Sequence, residues 1–301
     1  MRGEAPSQTA FATAYMRAVH VNLDGPPPVL NDRVAFRLLP TYMQRVIRHQ
    51  KVVASGWSRR LRIRDPAATA MRSQIVVRAR YAEDCLKEVG ERGGGRYVIL
   101  GAGLDTFALR QQGTFALRQQ GTFALRQQGG GIEVLEIDHP ATQRWKRHLL
   151  ARRGLEEPDG LTYLSVDFER ESLSDVWIEG DQPDFVSWLG TTYYLSRNSI
   201  RATLEAVAGR TRKGSQLVLD YWDARPRTID PLLWGTRIAV ALQGEPMRSL
   251  FEPDEIESLA GTAGWRIVDN LTAADQNKRY LSHRKDGLSV PAFAHLLRLE
   301  R

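Results

Sequence analysis

Residues 97–106 read YVILGAGLDT. Four β-favouring residues run directly into Gly-Ala-Gly, the pattern of a buried strand that ends in a turn without side chains. Glycine at 101 and 103 permits φ > 0 and lets the backbone approach a ligand closely. The helix after such a turn aims its first amide groups at the same point. The stretch therefore predicts an α/β chain with a small-ligand site at the C-terminal end of its first parallel strand. For so short a motif, a plain structural turn is the competing reading.

A dinucleotide turn carries a third glycine, G-x-G-x-x-G, for close packing of helix on strand. Here that position is Thr106. This disfavours a pyrophosphate-bearing cofactor, and with it an oxidoreductase, and leaves a nucleoside ligand. The ribose of such a ligand calls for an acidic residue about 20 residues on, at the end of the second strand. The candidate is Asp138 in IEVLEID (132–138), but it lies 37 residues after Gly101. An internal repeat accounts for the excess: residues 106–113, 114–121 and 122–129 each read TFALRQQG. Without two 8-residue copies the spacing is 21. Each copy reads as two helical turns closed by glycine. Glycine inside a helix costs about 1 kcal/mol against alanine, so Gly113 and Gly121 predict breaks. Eight residues advance about 80° beyond two turns, so Phe107, Phe115 and Phe123 form no common stripe. The expectation is a surface excursion of short helical pieces without a functional role, the alternative being a contact in a homo-oligomer.

Three ordered motifs then become specific: VILGAGLDT (98–106), EIDHPATQ (136–143) and SWLGTTYYL (187–195), with GEP at 244–246 and RYL at 279–281. Together they resemble the leucine carboxyl methyltransferase-like family of class I S-adenosylmethionine-dependent methyltransferases. The resemblance starts near Ala12 and covers most of the chain. It implies an α/β fold with a seven-stranded, mostly parallel Rossmann-like sheet and helices on both faces. It also implies an N-terminal helical cap (1–92), a methyltransferase domain (93–301) carrying the repeat insertion at 106–129, and a lid at about 222–251 after the fifth strand. The cofactor it implies is S-adenosyl-L-methionine. Arg80 would pair with the cofactor carboxylate through a bidentate fork, with Arg78 the alternative if the register shifts. Gly101 and Gly103 would give the close backbone approach. Asp105 would order the glycine loop or the cofactor amino group, or simply cap the helix. Asp138 would accept the ribose hydroxyls, Asp167 the adenine amine, and the Phe168 backbone would read the ring edge. Tyr193, Tyr194, Trp222 and Arg279 are the substrate-side candidates. His139 belongs to the strand-to-helix turn and is read as structural. The chain departs from the family at Leu189, where many members carry a glutamate that contacts the cofactor. The departure weakens the carry-over of the family's carboxyl-protein substrates. No residue is assigned as a catalyst.

The elements around these motifs follow from periodicity and caps. Helices are predicted over 8–22, 41–56, 67–89, 141–152, 197–208, 231–242 and 253–263, and strands over 161–166, 184–189, 216–220, 265–271 and 292–299. No apolar run approaches the roughly 20 residues that span a bilayer, and the N-terminus lacks a secretory pattern. A cytoplasmic protein without a membrane partner is expected. The single cysteine, Cys85, excludes an intrachain disulfide and a cysteine metal cluster. No zinc or calcium spacing is present, and no metal is expected. The net charge is +7, with 36 arginines and 6 lysines scattered along the chain, so nucleic acid is not favoured as a partner. The expected activity is O-methylation of a small molecule, with a carboxylate of a secondary metabolite as one acceptor. The rivals are a cofactor-binding scaffold without turnover and an N- or RNA methyltransferase.

Overall fold

The structure, a computed structural model, describes residues 7–54, 66–93, 95–116, 132–225, 230–242 and 244–301. Four helices, α1 (Gln8–Leu23), α2 (Arg33–Leu38), α3 (Thr41–Ala54) and α4 (Pro66–Glu91), precede β1 (Arg96–Leu100). Then follow α5 (Phe107–Ala116), β2 (Glu133–Asp138), α6 (Pro140–Arg152), β3 (Leu161–Ser165), β4 (Asp184–Trp188), α7 (Arg197–Arg210) and β5 (Gln216–Trp222). The chain closes with α8 (Pro231–Leu242), α9 (Pro253–Thr262), β6 (Arg266–Leu271), α10 (Ala273–Tyr280) and β7 (Ala294–Glu300).

The strands form one seven-stranded sheet in the order β3-β2-β1-β4-β5-β7-β6. β1 to β5 run parallel, and β7 is antiparallel to both of its neighbours. Side chains of a strand alternate between faces, and β1 shows the result. Tyr97 and Ile99 join a core with Val76, Tyr81 and Cys85 of α4 and Phe107 of α5. Val98 and Leu100 join a second core with Ile200 and Leu204 of α7 and Ile256 of α9. The sheet is thus covered on both sides, as buried parallel strands require. α4 lies on the sheet itself, while α1 to α3 form the outer part of the N-terminal segment.

Buried ion pairs fix the frame, one within the sheet and one between the sheet and a helix. Arg96 at the start of β1 holds Asp184 at the start of β4 through two bonds of 3.0 and 2.9 Å. Lys146 of α6 meets Glu136 of β2 at 2.5 Å. Burial lifts the Glu136 carboxyl to about 7 despite that ammonium. The N-terminal helices are stitched to the rest by Arg17, which bonds Asp32 at 2.8 Å and the Leu104 carbonyl at 2.5 Å. Among the described residues no helix is long and apolar enough to cross a membrane.

The repeat departs from expectation at one point. The first copy forms α5, and the helix passes through Gly113 to Ala116 without breaking there. A glycine cost of about 1 kcal/mol is small against an anchored first turn, in which Thr106, Phe107, Ala108 and Leu109 are all buried. The expected break at Gly121 and the positions of Phe115 and Phe123 relative to one another lie outside the described residues or their side chains. The extra copies leave the sheet register intact, since β2 pairs with β1 from Arg96↔Glu133 to Leu100↔Ile137. Cutting any 16 consecutive residues from 106–129 leaves the same chain. The resulting protein is expected to keep its far-ultraviolet circular dichroism per sheet residue and to change in stability by less than about 1 kcal/mol, the scale of loop-length entropy. A larger loss in denaturant unfolding would mean that the added copies contribute to the core.

Candidate active site

In an open parallel sheet, the crevice for a ligand lies at the carboxyl ends of the strands where the chain reverses its winding direction. Here that point is between β1 and β4, and a cavity of about 440 Å³ opens there. Its floor is the turn after β1. Gly101 has φ +65°, and a Cβ on it would fall 2.2 Å from the Thr191 hydroxyl. No other residue fits there without moving the loop after β4. The Gly103 amide then donates to Asp138 at the end of β2, and the second carboxylate oxygen accepts from the His139 amide at 2.6 Å. Burial pushes the Asp138 carboxyl up, and the two amides offset this only in part. A buried carboxylate facing a cavity with spare acceptor capacity is suited to a pair of hydroxyl donors.

Asp105, Asp167, Phe168, Tyr193 and Tyr194 line the same cavity. Asp105 also accepts from the Phe107 amide at 2.7 Å, so it does cap α5. Asp167 orders its own turn by accepting from the Glu169 amide at 3.1 Å. The Phe168 ring rests 6.3 Å from that of Trp188. His139 is held as a turn residue, its Nδ1 accepting from the Ala141 amide at 3.2 Å.

Three expected residues fall elsewhere. Arg80 faces outward and pairs with Asp84 of the next turn at 2.8 Å, and it does not reach the cavity. Two residues along a helix are about 200° apart, so Arg80 and Arg78 cannot share a face. It is Arg78 that enters the cavity, beside Ile75, Ala79 and Glu83 at helical spacing. Its Nη1 bonds Asp220 at 2.7 Å and the Tyr193 hydroxyl at 2.8 Å. Gly190, at φ +77°, makes the room, since a Cβ there would lie 2.6 Å from Arg78 Nη2. Trp222 is buried between Tyr193 and Phe293, away from the cavity. Arg279 is on the surface, stacked over Tyr81 and Tyr280.

Two site residues were not among the sequence candidates. Glu83 lines the cavity and pairs with Arg110 at 2.5 Å, and burial raises its carboxyl against that pull. Its position four residues after Ala79, one turn along the cavity-facing side of the same helix, was the available signal. Glu245, after α8, accepts from the Gln8 amide at 3.0 Å, the Thr9 hydroxyl at 2.5 Å and the Ser7 hydroxyl at 3.3 Å. It thereby ties the segment after α8 to the start of α1 at the cavity wall. A carboxylate also suits the positive end of that helix.

Sheet order, glycine turn and strand-end carboxylates define a class I S-adenosylmethionine-dependent methyltransferase. A model of the family described as leucine carboxyl methyltransferase matches residues 10–208. The chain belongs to that family. It is 29% identical over 319 residues to YktD of Bacillus subtilis (strain 168), a candidate S-adenosyl-L-methionine-dependent methyltransferase, with 99% of this chain and 98% of that one covered. A similarly described protein of Mycobacterium marinum (strain ATCC BAA-535 / M) is 26% identical, with 71% of this chain and 65% of that one covered. The fold is shared with a candidate methyltransferase from Thermobifida fusca YX (TM-score 0.56, 12% identity, 100% and 96% covered). It is shared equally with a DUF574 family protein from Streptomyces avermitilis MA-4680 (TM-score 0.55, 12% identity, 99% and 98% covered).

The cavity residues fit the cofactor, since Asp138 has acceptor capacity left and the backbone of Gly101, Ala102 and Gly103 lines the cavity beside it. Hydroxyl donors favour the charged form of Asp138, so its carboxyl in the complex would titrate lower than in the free protein. Affinity for S-adenosylhomocysteine is accordingly expected to weaken as pH is lowered from neutral through the raised value of free Asp138. Asp138→Asn should bind more weakly at neutral pH and lose this slope. Titration calorimetry at several pH values checks both, and a parallel slope in the variant would remove Asp138 from the site.

Proposed function

We propose that this methyltransferase transfers the methyl group to an oxygen of a small molecule, and that the acceptor is a carboxylate. The observation that carries the choice is the state of the cavity's own bases. His139 has its Nδ1 lone pair engaged. Glu83 is held by Arg110, Asp105 by the Phe107 amide, Glu169 by the Ser196 amide and Arg248, and Glu245 by residues 7–9. Asp138 and Asp167 stand at the places suited to ribose and adenine. Each of these groups already serves a protein donor or, in this reading, a cofactor group, so among the described residues none stands as a base dedicated to a phenol or alcohol. A carboxylate acceptor is already a nucleophile and needs no base.

The bound cofactor supplies a methyl group on a positively charged sulfur, which is activated before any protein group acts. The chain's contribution is then position and dryness. Arg78, itself fixed by Asp220 and Tyr193, would hold the cofactor's carboxylate end. Asp138 and Asp167 hold the nucleoside end. Tyr193, Tyr194 and Leu189 present an apolar wall to the acceptor, and the Glu245 contact with α1 keeps water out above it. Holding two reactants in line supplies up to roughly 7–11 kcal/mol of the barrier. Leu189 offers no charge, which suits a small acceptor seated by shape.

The test is incubation with methyl-labelled cofactor and parallel panels of small carboxylic acids, phenols and amines. Base-labile methyl esters of one or more acids are expected. Label found only on nitrogen, or only on phenols, would overturn the proposal. Cofactor binding without transfer to any acceptor would favour a scaffold without turnover.

A further inference from the structure

Seven large apolar side chains are exposed among the described residues, and five of them lie on two helices of the segments around the cavity. Tyr42 (62% exposed) and Val46 (47%) stand one turn apart on α3. Trp234 (62%), Ile238 (42%) and Leu242 (85%) stand at i, i+4 and i+8 on α8. Neither helix contains an acidic residue. Each is anchored by its other face: Met43 and Ile47 of α3 pack on Ala18 and Val19 of α1, and Leu233 of α8 joins the core over the sheet. The outward stripes have no protein partner in the monomer.

Charge identifies what would cover them. The arginines are spread along the chain, but the acids are not. Residues 33–64 hold nine basic side chains and no acidic one. The whole chain carries +7, so everything else sums to −2. Arg33, Arg37, Arg45 and Arg48 are exposed on α2 and α3, and none pairs with a carboxylate among the described residues. Some exposed arginines elsewhere pair, as Arg147 with Glu157, Arg197 with Glu255 and Arg266 with Glu300, and acidic residues interleave with them along the chain. Apolar side chains beside unpaired arginines match a surface that is anionic outside and apolar beneath. A second copy of the chain would set like charges of α3 against each other. A nucleic acid would leave Val46, Ile238 and Leu242 without a role.

We propose that the outer faces of α3 and α8 dock this enzyme onto an anionic lipid bilayer, with Arg45 and Arg48 on the headgroups and Tyr42, Trp234 and Leu242 in the acyl boundary. The absence of a spanning run, on which the expectation of no membrane partner rested, concerns crossing a bilayer and not lying on one. The docking face is independent of which acceptor atom is methylated.

The test is flotation of the full chain with phosphatidylglycerol-containing vesicles and with vesicles of phosphatidylcholine alone. Binding to the first and little to the second is expected, weakening with added salt. Arg45→Glu/Arg48→Glu should lose about tenfold or more in vesicle affinity. Trp234→Ser/Leu242→Ser should weaken binding while leaving circular dichroism and S-adenosylhomocysteine affinity unchanged, because these side chains are on the surface. No retention on anionic vesicles at low salt would overturn the proposal. So would retention that neither variant alters, RNA binding without vesicle binding, or a dimer that Trp234→Ser/Leu242→Ser dissociates in a protein that ignores vesicles.

Discussion

The contact between the Gly103 amide and the Asp138 carboxylate is the point on which the site depends. It joins the turn after β1 to the end of β2, and it requires both glycine conformations and an acidic residue whose charge is buried. A buried carboxylate is costly unless donors surround it. Two backbone amides meet part of that demand. The remainder is acceptor capacity that suits a ligand with adjacent hydroxyls. Thr191 packs over Gly101 from the loop after β4, so the three strand ends form one rigid rim.

Around that rim the charges are paired before any ligand arrives. Arg78 is fixed by Asp220, whose second oxygen also takes the Gly190 amide at 2.6 Å. Arg17 and Arg110 converge on Asp32, and Arg110 also holds Glu83. The groups proposed to meet the cofactor are therefore oriented by neighbours and not by the ligand, which lowers the entropy cost of binding. Arg110 comes from the first copy of the repeat, so one copy is built into the site's support and the sheet register does not depend on the rest.

Much of this was legible in the sequence because the parallel strands are apolar runs bounded by glycine, and the repeat could be subtracted to restore the spacing from Gly101 to Asp138. The resemblance implied the seven-stranded, mostly parallel sheet, and the order of the strands came from the structure. What the sequence left open was rotation about a helix axis. Arg78 and Arg80 differ by two positions, and only the packing of α4 on the sheet decides which faces inward. The same uncertainty hid Glu83. Trp222 and Arg279 were selected by nearness in the chain to a lid and a motif, and packing took one into the core and the other to the surface. The short helices α2 and α10 were missed although both announce themselves with caps. Asp32 accepts from the Ala35 amide at 2.9 Å, and Thr272 with Asp275 forms a capping box. Glu245 could not have been found by spacing, because its partners lie more than two hundred residues away at the start of α1.

We assign the cavity at the β1–β4 switch point to the methyl donor, with Arg78, and not Arg80, at its carboxylate end. Titration calorimetry with S-adenosylhomocysteine tests this assignment most directly. Arg78→Lys keeps a charge for Asp220 but loses the planar fork. It is predicted to weaken binding by about tenfold or more, while Arg80→Ala stays within about twofold. Equal losses in both variants, or no binding by the unaltered protein, would contradict the account.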